Sequence, residues 1–166
     1  MASADGFVEL CSKVMDGMPN GIAVMTLVDP DGHPHGMTIS SLAPLSVDPP
    51  TVMMRIGQAS SSRPFLVPGR QVCANVLASD QSLQSMGFAY GSEDPFTVFA
   101  WEPTTDGTPV LSATAAHLLC QVERVIDHHD VSVVFAEVVG GSLDKDDTLA
   151  YRNRTYFKGL VPLDPN

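Results

Sequence analysis

IAVMTLVDPDGHPHGMTISS, residues 22–41, holds two apolar runs around one turn. Ile22 to Val28 is rich in β-branched residues, which suit a pleated strand. Asp29-Pro30-Asp31-Gly32 supplies turn chemistry, because Pro presets φ and Gly reaches the left-handed region. His35 to Ser41 resumes the extended pattern, so the two runs form an antiparallel hairpin.

Upstream, Phe7, Leu10, Cys11, Val14, Met15 and Met18 recur at steps of 3 and 1, the period of one helix face. Pro19-Asn20-Gly21 ends that helix. Downstream, Asp48-Pro49-Pro50 is a break and Thr51 to Ile56 a strand. Ser60 to Leu66 reads as a short helix, Gln71 to Leu77 as a strand and Asp80 to Tyr90 as a helix. Gly91 to Pro109 is dense in turn residues and reads as a long surface connection. Ala115 to Val125 and Val131 to Val139 are strands joined through Asp127-His128-His129-Asp130, the second closed by Gly140-Gly141. Leu149 to Phe157 holds one last short strand. Tight turns between many strands predict a mainly β fold with peripheral helices. A closed or nearly closed barrel fits, since closure removes sheet edges. The 166 residues fit a single domain, 1–166.

Hydrophobic residues make up 44% and charged residues 17%, enough apolar material for a packed core and too little charge for a disordered chain. The formal charge is -10, from 19 acidic and 9 basic residues. Such acidity argues against a nucleic-acid partner, which needs a basic footprint. It leaves room for a phosphate-bearing cofactor, because a local pocket can invert the field with backbone amides and one or two cations. Cys11, Cys73 and Cys120 form no disulfide framework and no zinc pattern. The opening residues do not read as a signal peptide, and no apolar run approaches the ~20 residues of a membrane span. A cytoplasmic protein with reduced thiols and no membrane partner is expected.

Gly36-Met37-Thr38-Ile39-Ser40-Ser41 joins a glycine to three hydroxyls at a strand end, where they could bind the polar edge of a flat heterocycle or a phosphate. Composition alone favours an ordinary strand edge facing water. Ser60-Ser61-Ser62-Arg63 is a plausible anion cradle of hydroxyls, amides and a guanidinium, or simply a capped serine-rich loop. Dinucleotide and P-loop glycine fingerprints and nucleophile elbows are absent. His128-His129-Asp130 does not predict a metal, since adjacent strand residues point to opposite faces. His117 reads as an outward-facing strand residue.

The run Pro19 to Thr26 and the run PHGMTISSLAPLSVDPPTVMMRIG, from Pro34 to Gly57, resemble the flavin-reductase-like family with the FMN-binding split-barrel fold. Further matches follow in the same order. They are Cys73-Ala74-Asn75-Val76-Leu77, Phe88-Ala89, Ala100-Trp101-Glu102, Gly107 to Leu111, and Leu149-Ala150-Tyr151 with Tyr156. The resemblance runs from about Met15 to Leu160. Each motif is weak alone; their order and spacing together are specific.

The resemblance implies a homodimer that binds FMN or FAD, reduces it with NADH or NADPH, and supplies it to a partner monooxygenase. It places Met37, Thr38, Ile39, Ser40 and Ser41 along the isoalloxazine and ribityl chain, and Ser60 and Ser62 near the cofactor phosphate, with Arg63 beside them. It makes Asn75, Val76 and Leu77 a segment presenting backbone groups to the flavin. Arg154 and Tyr156 are candidates for substrate contact. The family commonly carries Gly-Asp-His before the last long strand; here the aligned residues are His129-Asp130-Val131. His129 replaces that histidine as catalytic candidate only if it lies on a strand, where a two-residue shift keeps the face. The departure leaves two alternatives open: a protein that retains its flavin and acts on a small organic substrate, and a non-catalytic flavin-binding partner.

Overall fold

The structure is a computed structural model that describes residues 4–159; the first three and last seven residues of the expected 1–166 domain lie outside it. Helix α1 (Ala4–Asp16) comes first, followed by strands β1 (Asn20–Gly21), β2 (Ala23–Val28), β3 (Pro34–Ile39), β4 (Ala43–Val47) and β5 (Pro50–Gly57). A 3-10 turn (Arg63–Phe65), β6 (Gln71–Val76), α2 (Ser82–Tyr90) and α3 (Pro95–Val98) precede the short pair β7 (Trp101–Pro103) and β8 (Pro109–Leu111). The long strands β9 (Ala116–His128) and β10 (Val131–Leu143) and the hairpin β11 (Leu149–Arg152) and β12 (Thr155–Lys158) complete the order.

The expected hairpin of residues 22–41 is β2–β3, with Ala23 opposite Ile39 and Val28 opposite Pro34. It forms one end of a seven-stranded antiparallel sheet in the order β3-β2-β6-β9-β10-β5-β4. The sheet curls on itself. Met25, Ile39, Met54, Val72, Val122 and Val134, drawn from strands along its whole width, meet in one buried core. Alternation sets which residues enter: Val52, Met54 and Ile56 point inward on β5 while Arg55 is exposed. β3 and β5 are not joined by a backbone ladder. A side chain bridges them: Ser41 Oγ accepts from Arg55 N at 2.9 Å and donates to Arg55 O at 3.1 Å.

β2 is buried on both faces. Its inward residues belong to the barrel core, and its outer face meets a second core of Ile22, Leu77, Phe88, Leu111 and Leu149. This second core corrects the reading of 91–109 as a surface connection. Pro at the first position and an Asp94 Oδ1 bond to Phe96 N start α3, and Phe96, Phe99 and Trp101 pack against the second core. β4 also went unread, because Ala43–Val47 is mostly exposed and lacks a buried alternation.

Gly140-Gly141 does not end β10, which runs to Leu143. The ladder shifts register near Val138/Gly140, and Gly141 takes φ 152° with the His117 carbonyl where a Cβ would sit. The glycine pair is therefore a bulge within a long strand. The last strand is instead the β11–β12 hairpin, turned at Asn153 and Arg154 with φ 48° and 59°. Among the described residues no helix is long and apolar enough to cross a membrane.

Candidate functional site

The site lies where the end of β3 meets α2 and the β11–β12 hairpin. α2 can approach β3 because Gly36 has no side chain; a Cβ there would come within 2.7 Å of the Phe88 ring. Ser85, three residues before Phe88 on the same helix face, is thereby fully buried against the strand. Thr38 Oγ1 donates to the Ser85 carbonyl at 2.7 Å. The hairpin is anchored by Ile22 N donating to Leu149 O and Leu149 N donating to Leu77 O. It presents Tyr151 and Tyr156 with ring centroids 5.0 Å apart, and the Tyr156 hydroxyl lies 2.8 Å from Ser85 Oγ. These residues, with Ile22, Ser40, Ala89 and Tyr90, line a cleft of about 140 Å3. The chain has three tyrosines, and all of them line it.

The expected site residues divide among different environments. Thr38, Ser40 and Tyr156 meet at the cleft. Met37 faces the serine turn, where Ser60 Oγ donates to its sulfur at 3.3 Å. Ile39 is in the barrel core, and Ser41 bridges to β5. Ser62 is fully buried and its hydroxyl has no partner. Arg63 is engaged elsewhere: its Nε donates to Ser132 Oγ at 2.5 Å and its Nη2 lies 2.6 Å from Asp127 Oδ1. Those contacts, the Ser132 hydroxyl first and the guanidinium next, hold the Asp127 carboxyl below its ordinary range. They clasp the serine turn to the tip of the β9–β10 hairpin.

Asn75 is sealed in the sheet. Its Nδ2 donates to Val24 O and Thr26 Oγ1, both at 3.0 Å, and its Oδ1 accepts from Leu111 N at 2.8 Å. Asn75 and Val76 pair with β2 on one side and β9 on the other, and Leu77 N donates to Ile22 O. The backbone of Asn75 and Val76 is engaged in ladders, and that of Leu77 bonds to Ile22 and Leu149. His129 sits in the β9–β10 turn with φ 52° and is exposed. It is not on a strand, so strand alternation does not carry it to the face expected of a shifted histidine. Arg154 occupies the β11–β12 turn, exposed and 4.0 Å from Asp16, and does not line the cleft.

His117 is half-buried rather than fully outward, with Nδ1 3.1 Å from Ser142 Oγ, beside an open groove of about 550 Å3 that also includes Glu102 and Lys145. None of the expected site residues lines that groove. Asp29, Asp31 and His33 bring possible ligand atoms within 4.8 Å of one another, but Asp29 Oδ1 already accepts from Asp31 N and His33 N, and its Oδ2 faces His35 Nε2 at 3.1 Å.

Sequence reading missed Ser85, Tyr90 and Ile22. A signal for Ser85 was present: it is a polar residue on the face of a helix that also carries Phe88, and a buried polar group is the informative exception.

A model of the "Flavin reductase like domain" matches residues 15–160. The chain is 33% identical over 157 residues to a "Flavin reductase (NADH)" of Kitasatospora aureofaciens, covering 92% of this chain and 82% of that one. It is 33% identical over 144 residues to the reductase subunit HsaB of a flavin-dependent monooxygenase from Rhodococcus jostii (strain RHA1), covering 86% and 72%. The crystal structure of a flavin reductase domain protein from Arthrobacter sp. FB24 superposes with a TM-score of 0.87 at 28% identity, covering 96% of this chain and 99% of that one. With the split barrel in place and the match spanning nearly its full length, this chain belongs to the flavin reductase-like family.

Proposed function

We propose that this protein is a flavin reductase: it binds FMN or FAD, reduces it with NADH or NADPH, and supplies reduced flavin to a partner monooxygenase. The observation that carries the reading is the convergence of Thr38 and Ser40 with all three tyrosines on one cleft. A flavin held here would supply the two-electron acceptor for hydride from a reduced nicotinamide. Such a transfer needs close, aligned stacking more than an acid or base, which agrees with a cleft of aromatic rings and hydroxyls.

The donor set fits a flavin. The proton of Thr38 is held by the Ser85 carbonyl, so its lone pairs are what it offers a ligand N–H or O–H. Ser40 is exposed at the rim and free to donate or accept. The unpartnered Ser62 hydroxyl, buried beside Ser60, is a donor that an oxygen-rich ligand could satisfy. The cleft on one protomer is smaller than the ~300 Å3 at the low end of ligand pockets. That supports a homodimer in which a second copy helps enclose the cofactor, as do Phe7, Leu10, Val14 and Met15, exposed along α1, and Met18 just after it. The reading places one domain over 1–166 in the cytoplasm, where reduced nicotinamide is made.

The test is NADH or NADPH oxidation by purified protein with FMN or FAD added in turn. A flavin-dependent rate well above that of free flavin is expected. No rate above background with either flavin and either nucleotide refutes the reading.

A further inference from the structure

We propose that the turn between β2 and β3 is a zinc-binding site, in which the Asp29 carboxylate and the His33 and His35 imidazoles hold the ion and Asp31 or water completes its shell. The site lies at the start of β3, away from the cleft at the strand's other end, and does not rest on the reductase reading.

The sequence DPDGHPH, residues 29–35, sets a metal-ligating side chain at every second position: Asp29, Asp31, His33 and His35. Two backbone bonds fold it back on itself. Asp29 N donates to His33 O at 3.0 Å, and Gly32 N donates to Asp29 O at 3.1 Å. Gly32 permits the turn with φ 86°. Residues two and four apart in sequence therefore converge on Asp29.

The geometry of the carboxylate is the main observation. Asp29 Oδ1 accepts from Asp31 N and His33 N, both at 2.9 Å. Those bonds aim the group and leave Oδ2 to the rings. Oδ2 lies 3.1 Å from His35 Nε2 and 3.4 Å from His33 Nδ1. Ligand atoms on a tetrahedral zinc, each about 2.0–2.1 Å from the ion, stand roughly 3.3 Å apart. Both pairs already have that spacing. Ligand atoms of Asp29, Asp31 and His33 also lie within 4.8 Å of one another.

The surroundings favour an ion as well. Among the described residues, Asp29 pairs with imidazoles alone, so no lysine or arginine competes for it. The His35 ring is fixed by packing on Phe65, with centroids 4.7 Å apart. The His33 side chain is 75% exposed and can swing to close the shell. One ligand is thus preset and one adapts. Mixed imidazole and carboxylate donors select zinc over magnesium or calcium, which take oxygen ligands. A bound ion would clip the β2–β3 turn to the segment that carries Phe65.

The experiment titrates zinc chloride into the untagged full chain, stripped of metal with a chelator, and follows it by calorimetry. The wild type is compared with His33→Ala, His35→Phe and the pair His128→Ala with His129→Ala. His33 is exposed, so its loss spares the fold, and His35→Phe keeps an aromatic ring against Phe65. His128 and His129, with ring centroids 4.2 Å apart, are the competing imidazole pair. One zinc per wild-type chain is expected, with the dissociation constant raised about tenfold or more in each turn variant and changed by less than about twofold in the His128 and His129 variant. Zinc should raise the Tm of the wild type and not that of the turn variants, and magnesium chloride should do neither. No saturable zinc binding, binding lost with His128 and His129 instead, unchanged affinity in the turn variants, or magnesium bound as tightly as zinc would each overturn the proposal.

Discussion

Asn75 is a residue whose chemistry was legible but whose use was not. An amide in an apolar strand is conspicuous in the sequence, yet its hydrogen bonds go to Val24, Thr26 and Leu111 rather than outward. Asn75→Ala leaves buried partners unpaired and should cost about 3 kcal/mol in urea unfolding, with flavin affinity of the folded protein little changed. Asp29 behaves differently. The His33 backbone N–H, then the His35 ring and the Asp31 N–H, hold its carboxyl at about 2, below the ordinary 3.8. The folded state thus favours the ionised form. Its stabilisation is complete above 3.8 and is lost as the pH falls through about 2. The stability difference between the wild type and Asp29→Asn should shrink across that window in unfolding curves taken at stepped pH. Burial pushes the Cys73 and Cys120 thiols up to about 12, whereas Cys11 is exposed. A thiol reagent should leave Cys73 and Cys120 unlabelled in the native protein and label all three cysteines after denaturation.

At the scale of elements, the strands with strong periodicity were readable and the pieces around them were not. β2, β5 and β6 fall where apolar runs predicted them, because each buries at least one face continuously. β4 is mostly exposed and carries no such pattern. α3 and β7 are too short for periodicity to register, and they form by packing Phe96, Phe99 and Trp101 onto the second core. The glycine pair at 140–141 looks like a terminator locally, but β9 continues to pair along β10 as far as Leu143 and sets its length. The seating of α2 on β3 depends on Gly36. A methyl group there would press on Phe88 at 2.7 Å and Phe96 at 3.1 Å. Gly36→Ala should therefore destabilise the protein by about 1–3 kcal/mol. It should also weaken flavin binding by shifting α2 at the cleft, while a control Gly32→Ala, at a turn with open space but φ 86°, should cost stability without that change.

For the whole molecule, surface charge and exposed apolar area carry the expectations. A formal charge of -10 keeps copies apart at long range, but the apolar residues of α1, such as Phe7 at 60% and Leu10 at 57% exposed, mark a contact surface. Light scattering should give a mass of about 35 kDa, twice 17.7 kDa. Leu10→Glu with Val14→Glu should reduce it toward one chain and weaken flavin binding with it. The sequence by itself determined the hairpin, the barrel class and the family, since these rest on local periodicity, turn chemistry and the order of motifs. Only the tertiary structure decided which hydroxyls meet. Thr38, Ser85 and Tyr156 are widely separated along the chain and belong to a strand, a helix and a late hairpin. Their convergence follows from how Gly36 admits α2 and how Leu149 anchors the hairpin, and long-range packing of that kind leaves no periodic trace in a single chain's residues. The same holds for Asn75, Arg63 and His129. Their residue types announce binding or catalysis, but a buried ladder, an ion pair and a left-handed turn settled where each one stands.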